Sequence, residues 1–271
     1  MCYKSLLVHL DDSERCAVRL ALALDLAERF DAHLTGLYLP HAHRRTADGE
    51  STPEARLART HEQFLSAAER AGRIVEWRAP QPCDAATATI HARHADLLLL
   101  GQPEDADWLA HSAGGFVADL LMTAGRPAVV VPHSGAFTAF AQNILVAWDG
   151  SREAARAVSD ALPLLQRAQC VSIEVVASHH DAKHVHGASG TSTAIEVAAW
   201  LDLHGVQASF HESVRDAGLQ TGAALLSRAS DLHADLLVAG AYAHSRVHEC
   251  VLGGVTRTLL EAMTVPVLMS H

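Results

Sequence analysis

The stretch His94-Ala95-Asp96-Leu97-Leu98 is repeated, residue for residue, as His233-Ala234-Asp235-Leu236-Leu237. Residue 94 therefore corresponds to residue 233, an offset of 139. The same offset relates three other landmarks of the sequence: Gly101 and Gly240, Gly114-Gly115 and Gly253-Gly254, and Pro127 and Pro266. A constant offset across half of a 271-residue chain indicates an internal duplication. The fold must therefore consist of two similar units.

The beginning of each copy keeps this register with one residue of slippage, because Asp11 corresponds to Asp149 at an offset of 138. We therefore predict two tandem domains, residues 1–135 and 141–271, joined by a short segment just after Pro132. Units of about 135 residues are long enough to bury a core of their own.

Each copy alternates short apolar runs with longer segments whose apolar residues recur at helical spacing. The predicted strands are 5–10, 33–39, 74–78, 97–100 and 128–131 in the first copy, and 143–147, 172–177, 207–211, 236–239 and 265–269 in the second. The predicted helices are 14–30, 53–71, 84–94, 115–124, 152–165, 193–204, 218–232 and 255–263. This alternation predicts an α/β fold with a five-stranded parallel sheet in each domain, flanked by helices.

The composition is that of an ordinary globular protein, with 49% hydrophobic and 19% charged residues. The net charge is −10 and the basic residues form no cluster, which argues against nucleic acid and anionic membrane as partners. The five cysteines are scattered, and no apolar run has the length of a membrane helix. We therefore expect a cytoplasmic protein.

The second copy contains the elements of a nucleotide-phosphate site. A buried strand ends at Gly240, and Gly253-Gly254 opens a helix whose free amide groups could bind an anion. Thr256 adds a hydroxyl in the first helical turn, and Asp149 follows the first strand, where it could accept from an adenine amino group or a ribose hydroxyl. Ligands of open parallel sheets bind at such strand ends, although the glycines alone would also suit simple turns.

These motifs resemble the universal stress protein family over the whole chain, in both copies. The resemblance rests on residues 146–151, which read Val-Ala-Trp-Asp-Gly-Ser, and on 234–257 and 265–268. It implies that each domain has a flavodoxin/adenine-nucleotide-hydrolase-like fold. It also implies a phosphate loop of the pattern G-x2-G-x9-G-[S/T], which binds ATP in the nucleotide-binding branch of the family.

Gly240 and Gly253 fit this pattern, whereas Ala243 replaces its second glycine and Gly254 replaces its final Ser or Thr. The lost hydroxyl weakens phosphate binding by about 0.5–1.5 kcal/mol without abolishing it. Together, the residues and the resemblance imply an ATP site, with Mg²⁺ as an accompanying ion, formed by nine residues: Asp149, Ala177, Gly240, Ala241, Ala243, Gly253, Gly254, Val255 and Thr256.

The first copy has diverged further from the phosphate-loop pattern. Gly101 and Gly114 are in register, but three carboxylates, Glu104, Asp105 and Asp107, stand where phosphates would lie. Val117 takes the position of Thr256 and has no hydroxyl. We therefore predict a degenerate nucleotide site in the first domain.

The sequence lacks the motifs of a nucleophilic enzyme and of a Walker-type phosphate loop, so we predict a binding or regulatory stress-response protein with slow ATP hydrolysis at most. Two alternatives are an interaction scaffold that binds no nucleotide and an enzyme that uses the histidine-rich loops. The spacing of the histidines within 179–186 matches no structural metal site.

We also expect the domains to pair through their last strands, 128–131 against 265–269, with a homodimer as a further alternative.

Overall fold

A computed structural model describes residues 2–40, 52–103, 116–137, 139–177, 190–214, 220–241 and 254–271. The first half of the chain contains β1 (Ser5–Leu10), α1 (Cys16–Phe30), β2 (His33–Tyr38), α2 (Pro53–Arg70), β3 (Val75–Arg78), α3 (Ala85–Ala92), β4 (Leu97–Gly101), α4 (Phe116–Thr123) and β5 (Ala128–Val131). The second half contains β6 (Asn143–Ala147), α5 (Arg152–Leu165), β7 (Cys170–Ala177), α6 (Gly190–Leu203), β8 (Ala208–Val214), α7 (Thr221–Asp231), β9 (Leu236–Gly240), α8 (Gly254–Ala262) and β10 (Val267–Ser270). None of the described helices combines the length and apolarity needed to cross a membrane.

The contacts divide the chain into two compact units. The first unit comprises residues 2–101 and 116–126, and the second comprises 102–115 and 127–271. The units follow packing, so the last strand of the first repeat, β5, is grouped with the second unit. The domain limits 1–135 and 141–271 describe the sequence repeat and remain our proposal.

The first unit is built on four parallel strands in the order β3-β2-β1-β4. The four leucines of β4, Leu97–Leu100, are fully buried, as expected for a strand that is covered on both faces of the sheet. Gly36 of β2 lies directly beneath α2, where a Cβ would be 2.8 Å from the Phe64 ring. The glycine therefore lets α2 pack closely on the sheet.

The second unit contains six strands in the order β5-β10-β9-β6-β7-β8. All pairs are parallel except β5 with β10, which is antiparallel. The pair is centred on Val129 and Leu268, which are equivalent residues of the two repeats at the offset of 139. This pairing covers the apolar edges of both last strands.

The predicted fold class, a tandem α/β arrangement with mostly parallel strands, is confirmed. Local capping explains the ends that were predicted well: the Ser151 hydroxyl accepts from the Ala154 amide at 3.1 Å, and α5 begins at Arg152 as predicted. β10 starts at Val267, two residues later than predicted, because Pro266 has no amide to donate to a strand. The predicted loop at 41–52 falls almost entirely outside the described residues.

Candidate functional site

The strand order of the second unit reverses between β6 and β9. These two strands are parallel neighbours, with Val146 opposite Val238. From β6 the chain continues to β7 on one side, and from β9 it continues to β10 on the other. The carboxyl ends of β6 and β9 therefore form the crevice in which ligands of open parallel sheets bind.

Asp149 lies at this crevice, two residues after β6, and its side chain is exposed. Its Oδ1 accepts from the Ser151 amide at 2.9 Å, which orients the carboxylate toward the start of α5. Trp148 is fixed beside it, because its indole Nε1 donates to the Thr193 hydroxyl at 3.3 Å. The side chain expected to contact the adenosine part of a ligand is thus both accessible and held in place.

Gly240 ends β9 directly against the first turn of α5. A Cβ at this position would lie 2.6 Å from the Ala154 amide nitrogen and 2.7 Å from the Glu153 carbonyl carbon. Both of these are backbone atoms that cannot move without displacing the helix. The absence of a side chain at Gly240 therefore brings the Asp149 segment and the end of β9 together.

Ala241 continues the sheet beyond β9 by one residue. Its amide donates to the Ser270 carbonyl at 2.9 Å, its methyl group is buried, and its carbonyl lies 3.0 Å from His271 Nδ1. The Ala241 amide is consequently engaged within the protein. Ala241 is one of the nine residues predicted for the site, and in the described structure its backbone amide extends the sheet.

The start of α8 is the other segment that the sequence predicts for the site. Gly254 is its first residue and is exposed, and among the described residues no atom lies within 4 Å of the place where a Cβ would stand. Val255 is half-buried, and Thr256 is only 2% exposed. The open space at Gly254 leaves the first helical turn accessible to an anion, whereas Thr256 packs inward as Val117 does in the first repeat.

Two of the predicted residues, Ala243 and Gly253, lie outside the described residues, as does the histidine-rich segment at 179–186. Ala177 is described as the last residue of β7, opposite Val214 of β8. The structure thus brings Asp149 and Gly240 together around α5, while the contribution of the loop between Ala241 and Gly254 remains a prediction.

Charged residues near the crevice were not predicted from the sequence. Glu153, in the first turn of α5, is buried, which opposes its ionisation, but its contact with the Arg152 guanidinium and its own backbone amide lower its pKa. Glu174 on β7 is 1% exposed and accepts from Arg228 Nε of α7 at 3.1 Å. The sequence does not indicate that these two carboxylates are buried, because their burial depends on how α5 and α7 pack.

The equivalent crevice of the first unit is filled by the side chain of Arg19. This residue of α1 is 2% exposed, and its Nη2 donates to Asp11 Oδ2 at 2.8 Å while its Nε donates to the His9 carbonyl at 2.6 Å. A Cβ on Gly101, the counterpart of Gly240, would overlap the Arg19 guanidinium. At the offset of 138, the second unit has the buried methyl group of Ala157 in place of Arg19.

Asp11 is therefore a buried ion-pair partner, unlike the exposed Asp149. Burial alone would raise its pKa, but Arg19, His9 and the hydrogen bonds from Ser13 together hold the pKa well below its ordinary value. The carboxylate that could face a ligand in the second unit is occupied within the protein in the first.

Residues 141–271 match the model of the universal stress protein family. The whole chain is similar to a solved universal stress protein from Archaeoglobus fulgidus DSM 4304, with a TM-score of 0.70 and 17% identity over 97% of each chain. It is also similar to a functionally unknown protein from Pseudomonas aeruginosa PAO1, with a TM-score of 0.63 and 16% identity over 99% of this chain and 92% of that one. No curated protein matches the sequence. At these identities the structural likeness establishes the fold of both halves.

Proposed function

Because residues 141–271 belong to the universal stress protein family and the first half shares the fold, we propose that the second domain binds an adenine nucleotide. The observation that carries the proposal is the crevice between β6 and β9, where the exposed Asp149 carboxylate stands beside the Gly240 strand end. The start of α8 supplies accessible backbone amides for the phosphates. ATP, accompanied by Mg²⁺, is the ligand we propose, in a cytoplasmic stress-response protein that senses or regulates.

The proposal assigns the ligand to the second domain alone. In the first unit, Arg19 fills the space over Gly101 and neutralises Asp11, so neither a carboxylate nor a close backbone approach is offered to a ligand. The negative charge that the sequence places at Glu104, Asp105 and Asp107 is a second, separate obstacle to phosphate binding. We therefore propose one nucleotide per chain.

Calorimetric titration with ATP and Mg²⁺ tests the proposal. Wild-type protein is expected to bind one equivalent, and Asp149→Ala is expected to bind about tenfold more weakly, since it loses charge-assisted hydrogen bonds to the adenosine moiety. Asp202→Ala, which removes an exposed carboxylate of α6, serves as the control and should bind as wild type does. Absence of wild-type binding at millimolar ATP would overturn the proposal.

Gly254→Ser is expected to tighten ATP binding about two- to tenfold, because it restores the hydroxyl that the family pattern places at this position. The added Cβ meets no atom of the described part of the chain within 4 Å, so the substitution should leave the described fold unchanged. Gly254→Ala is the matched control, since it adds the same Cβ without the hydroxyl. Equal affinities for the serine and alanine variants would show that this position does not contact phosphate.

The alternative of an interaction scaffold without nucleotide is favoured by one observation: the Ala241 amide already donates to Ser270 and is not offered to a ligand. The same titration decides between the two. Slow hydrolysis is a separate question, answered by phosphate release that disappears in Asp149→Ala.

A further inference from the structure

Gln102 is a buried polar residue that neither the family pattern nor the proposed ligand contacts account for. It follows β4 directly and belongs to the second compact unit, where it is 8% exposed. Its backbone amide donates to the Val131 carbonyl at 2.8 Å, in the same way that Ala241 donates to Ser270. The two residues are equivalent in the repeat, but only Gln102 has a side chain that can make hydrogen bonds.

The Gln102 side chain donates to the last turn of α8. Its Nε2 lies 2.8 Å from the Leu260 carbonyl and 3.3 Å from the Glu261 carbonyl. Its Oε1 accepts from the His133 amide at 2.9 Å, which fixes the orientation of the side-chain amide. Both ends of the amide are thus used, and the donor end faces the helix.

The carbonyl groups at a helix C-terminus have no partner within the helix and need an outside donor. The last turn of α8 contains no basic residue that could provide one. Gln102 therefore serves as the donor to this helix end, supplied from a distant part of the sequence.

The described contacts between α7 and α8 hold the middle and the first turn of α8. A Cβ on Gly222 of α7 would lie 2.7 Å from the Thr258 Cβ and 3.1 Å from the Val255 carbonyl oxygen, so the two helices pack closely there. The Thr258 hydroxyl lies 2.8 Å from the Gly254 carbonyl and 2.5 Å from Gln220 Oε1. A helix of nine residues that is fixed at its middle and at its C-terminal end also has a fixed N-terminal direction.

We propose that Gln102 is a positioning residue for the nucleotide site: by holding the C-terminal end of α8, it aims the amides at Gly254 and Val255 toward the phosphates. This inference rests on the proposed nucleotide binding. Gln102 comes from the first sequence repeat, directly after Gly101, and it holds the helix that we propose binds phosphate in the second repeat.

The test compares Gln102→Ala with Gln166→Ala. Gln166, an exposed residue, is the control for the loss of a helix-end donor, because its Nε2 donates to the His204 carbonyl just beyond the C-terminal end of α6, at 3.0 Å. We expect the Kd for ATP with Mg²⁺ to rise about three- to tenfold in Gln102→Ala and to stay within about twofold in Gln166→Ala. Gln102→Glu, which keeps the acceptor for His133 but turns an acceptor toward the helix carbonyls, should weaken binding further.

Amide hydrogen exchange of the ligand-free proteins provides a readout that does not depend on nucleotide. Amides of 257–263 should exchange faster in Gln102→Ala than in wild type, and at the wild-type rate in Gln166→Ala. Unchanged exchange in Gln102→Ala would overturn the contact as a determinant of α8. Faster exchange with a Kd equal to that of Gln166→Ala would overturn the positioning role, and failure of wild-type binding would overturn the proposed function while the exchange result still stands.

Discussion

Replacing Arg19 with alanine is expected to lower the free energy of unfolding by about 3–5 kcal/mol, the usual cost of removing one partner of a buried ion pair. Arg19 and Asp11 are both buried, and the guanidinium also donates to the His9 carbonyl. The substitution leaves a carboxylate in the core without its cation. Denaturant unfolding followed by circular dichroism measures the difference.

Arg29→Ala on the same helix is the control for this prediction. Arg29 lies 3.6 Å from Asp25, whose side chain is 53% exposed, and because solvent screens this pair its removal should cost less than the loss of Arg19, about 1 kcal/mol. Adding Asp11→Asn to Arg19→Ala should restore part of the loss, because neither position of the pair then carries a buried charge. Similar losses for the Arg19 and Arg29 variants would contradict the role of the buried pair.

The acid dependence of stability provides an independent check on the same pair. The pKa of Asp11 in the folded protein lies below its ordinary value of 3.8, so the carboxylate contributes fully above about pH 4. Its contribution is lost as the pH falls below that value. The stability difference between wild type and Asp11→Asn should therefore begin to shrink as the pH falls through about 4 and continue to shrink at more acidic pH.

Gly240→Val is expected to lower the free energy of unfolding by about 1–3 kcal/mol and to abolish measurable nucleotide binding. The new side chain would overlap backbone atoms of Glu153 and Ala154, so the first turn of α5 must shift. The Asp149 carboxylate, which is hydrogen-bonded to the segment that begins this helix, would shift with it. Thermal unfolding and calorimetric titration measure the two effects.

Gly254→Val supplies the comparison for stability, because a Cβ at this position has no neighbour within 4 Å in the residues that the structure describes. It should unfold close to wild type, within about 0.5–1 kcal/mol. Hydrogen exchange should show faster exchange in the first turn of α5 only for Gly240→Val. A Gly240→Val protein with wild-type stability and affinity would contradict the packing described for this strand end.

The strands and helices could be predicted from the sequence because burial on both faces of a parallel sheet leaves continuous apolar runs, such as the one at Leu97–Leu100. Element ends were less predictable where backbone chemistry decided them. The Cys16 amide donates to the Ser13 carbonyl at 3.1 Å in a turn, so α1 starts two residues later than its periodicity predicts.

The site was less predictable than the fold, since equivalent residues acquired different environments. Asp11 and Asp149 occupy the same position in the repeat, yet the first is buried and the second exposed. The difference comes from Arg19 and Ala157, eight residues farther along the chain, on the helix face that lies toward the sheet. Only the three-dimensional packing shows that this face meets the strand ends.

Gly240 and Gln102 illustrate the same limit. The pattern predicted Gly240 to be part of a phosphate loop, and in the structure the atoms closest to its Cβ position are backbone atoms of α5. Gln102 has no counterpart in any motif, because its role depends on a helix end located about 160 residues away in the chain.

The centring of the β5–β10 pair on Val129 and Leu268 has an evolutionary consequence. In a homodimer, both subunits are encoded by one gene, and every substitution occurs in both. An arginine that fills the crevice of one subunit would therefore fill the crevice of the other as well. When both strands are encoded in a single gene, each repeat can mutate separately. The first half of this chain has accordingly been free to acquire the buried Arg19, while the second half kept an exposed carboxylate at Asp149.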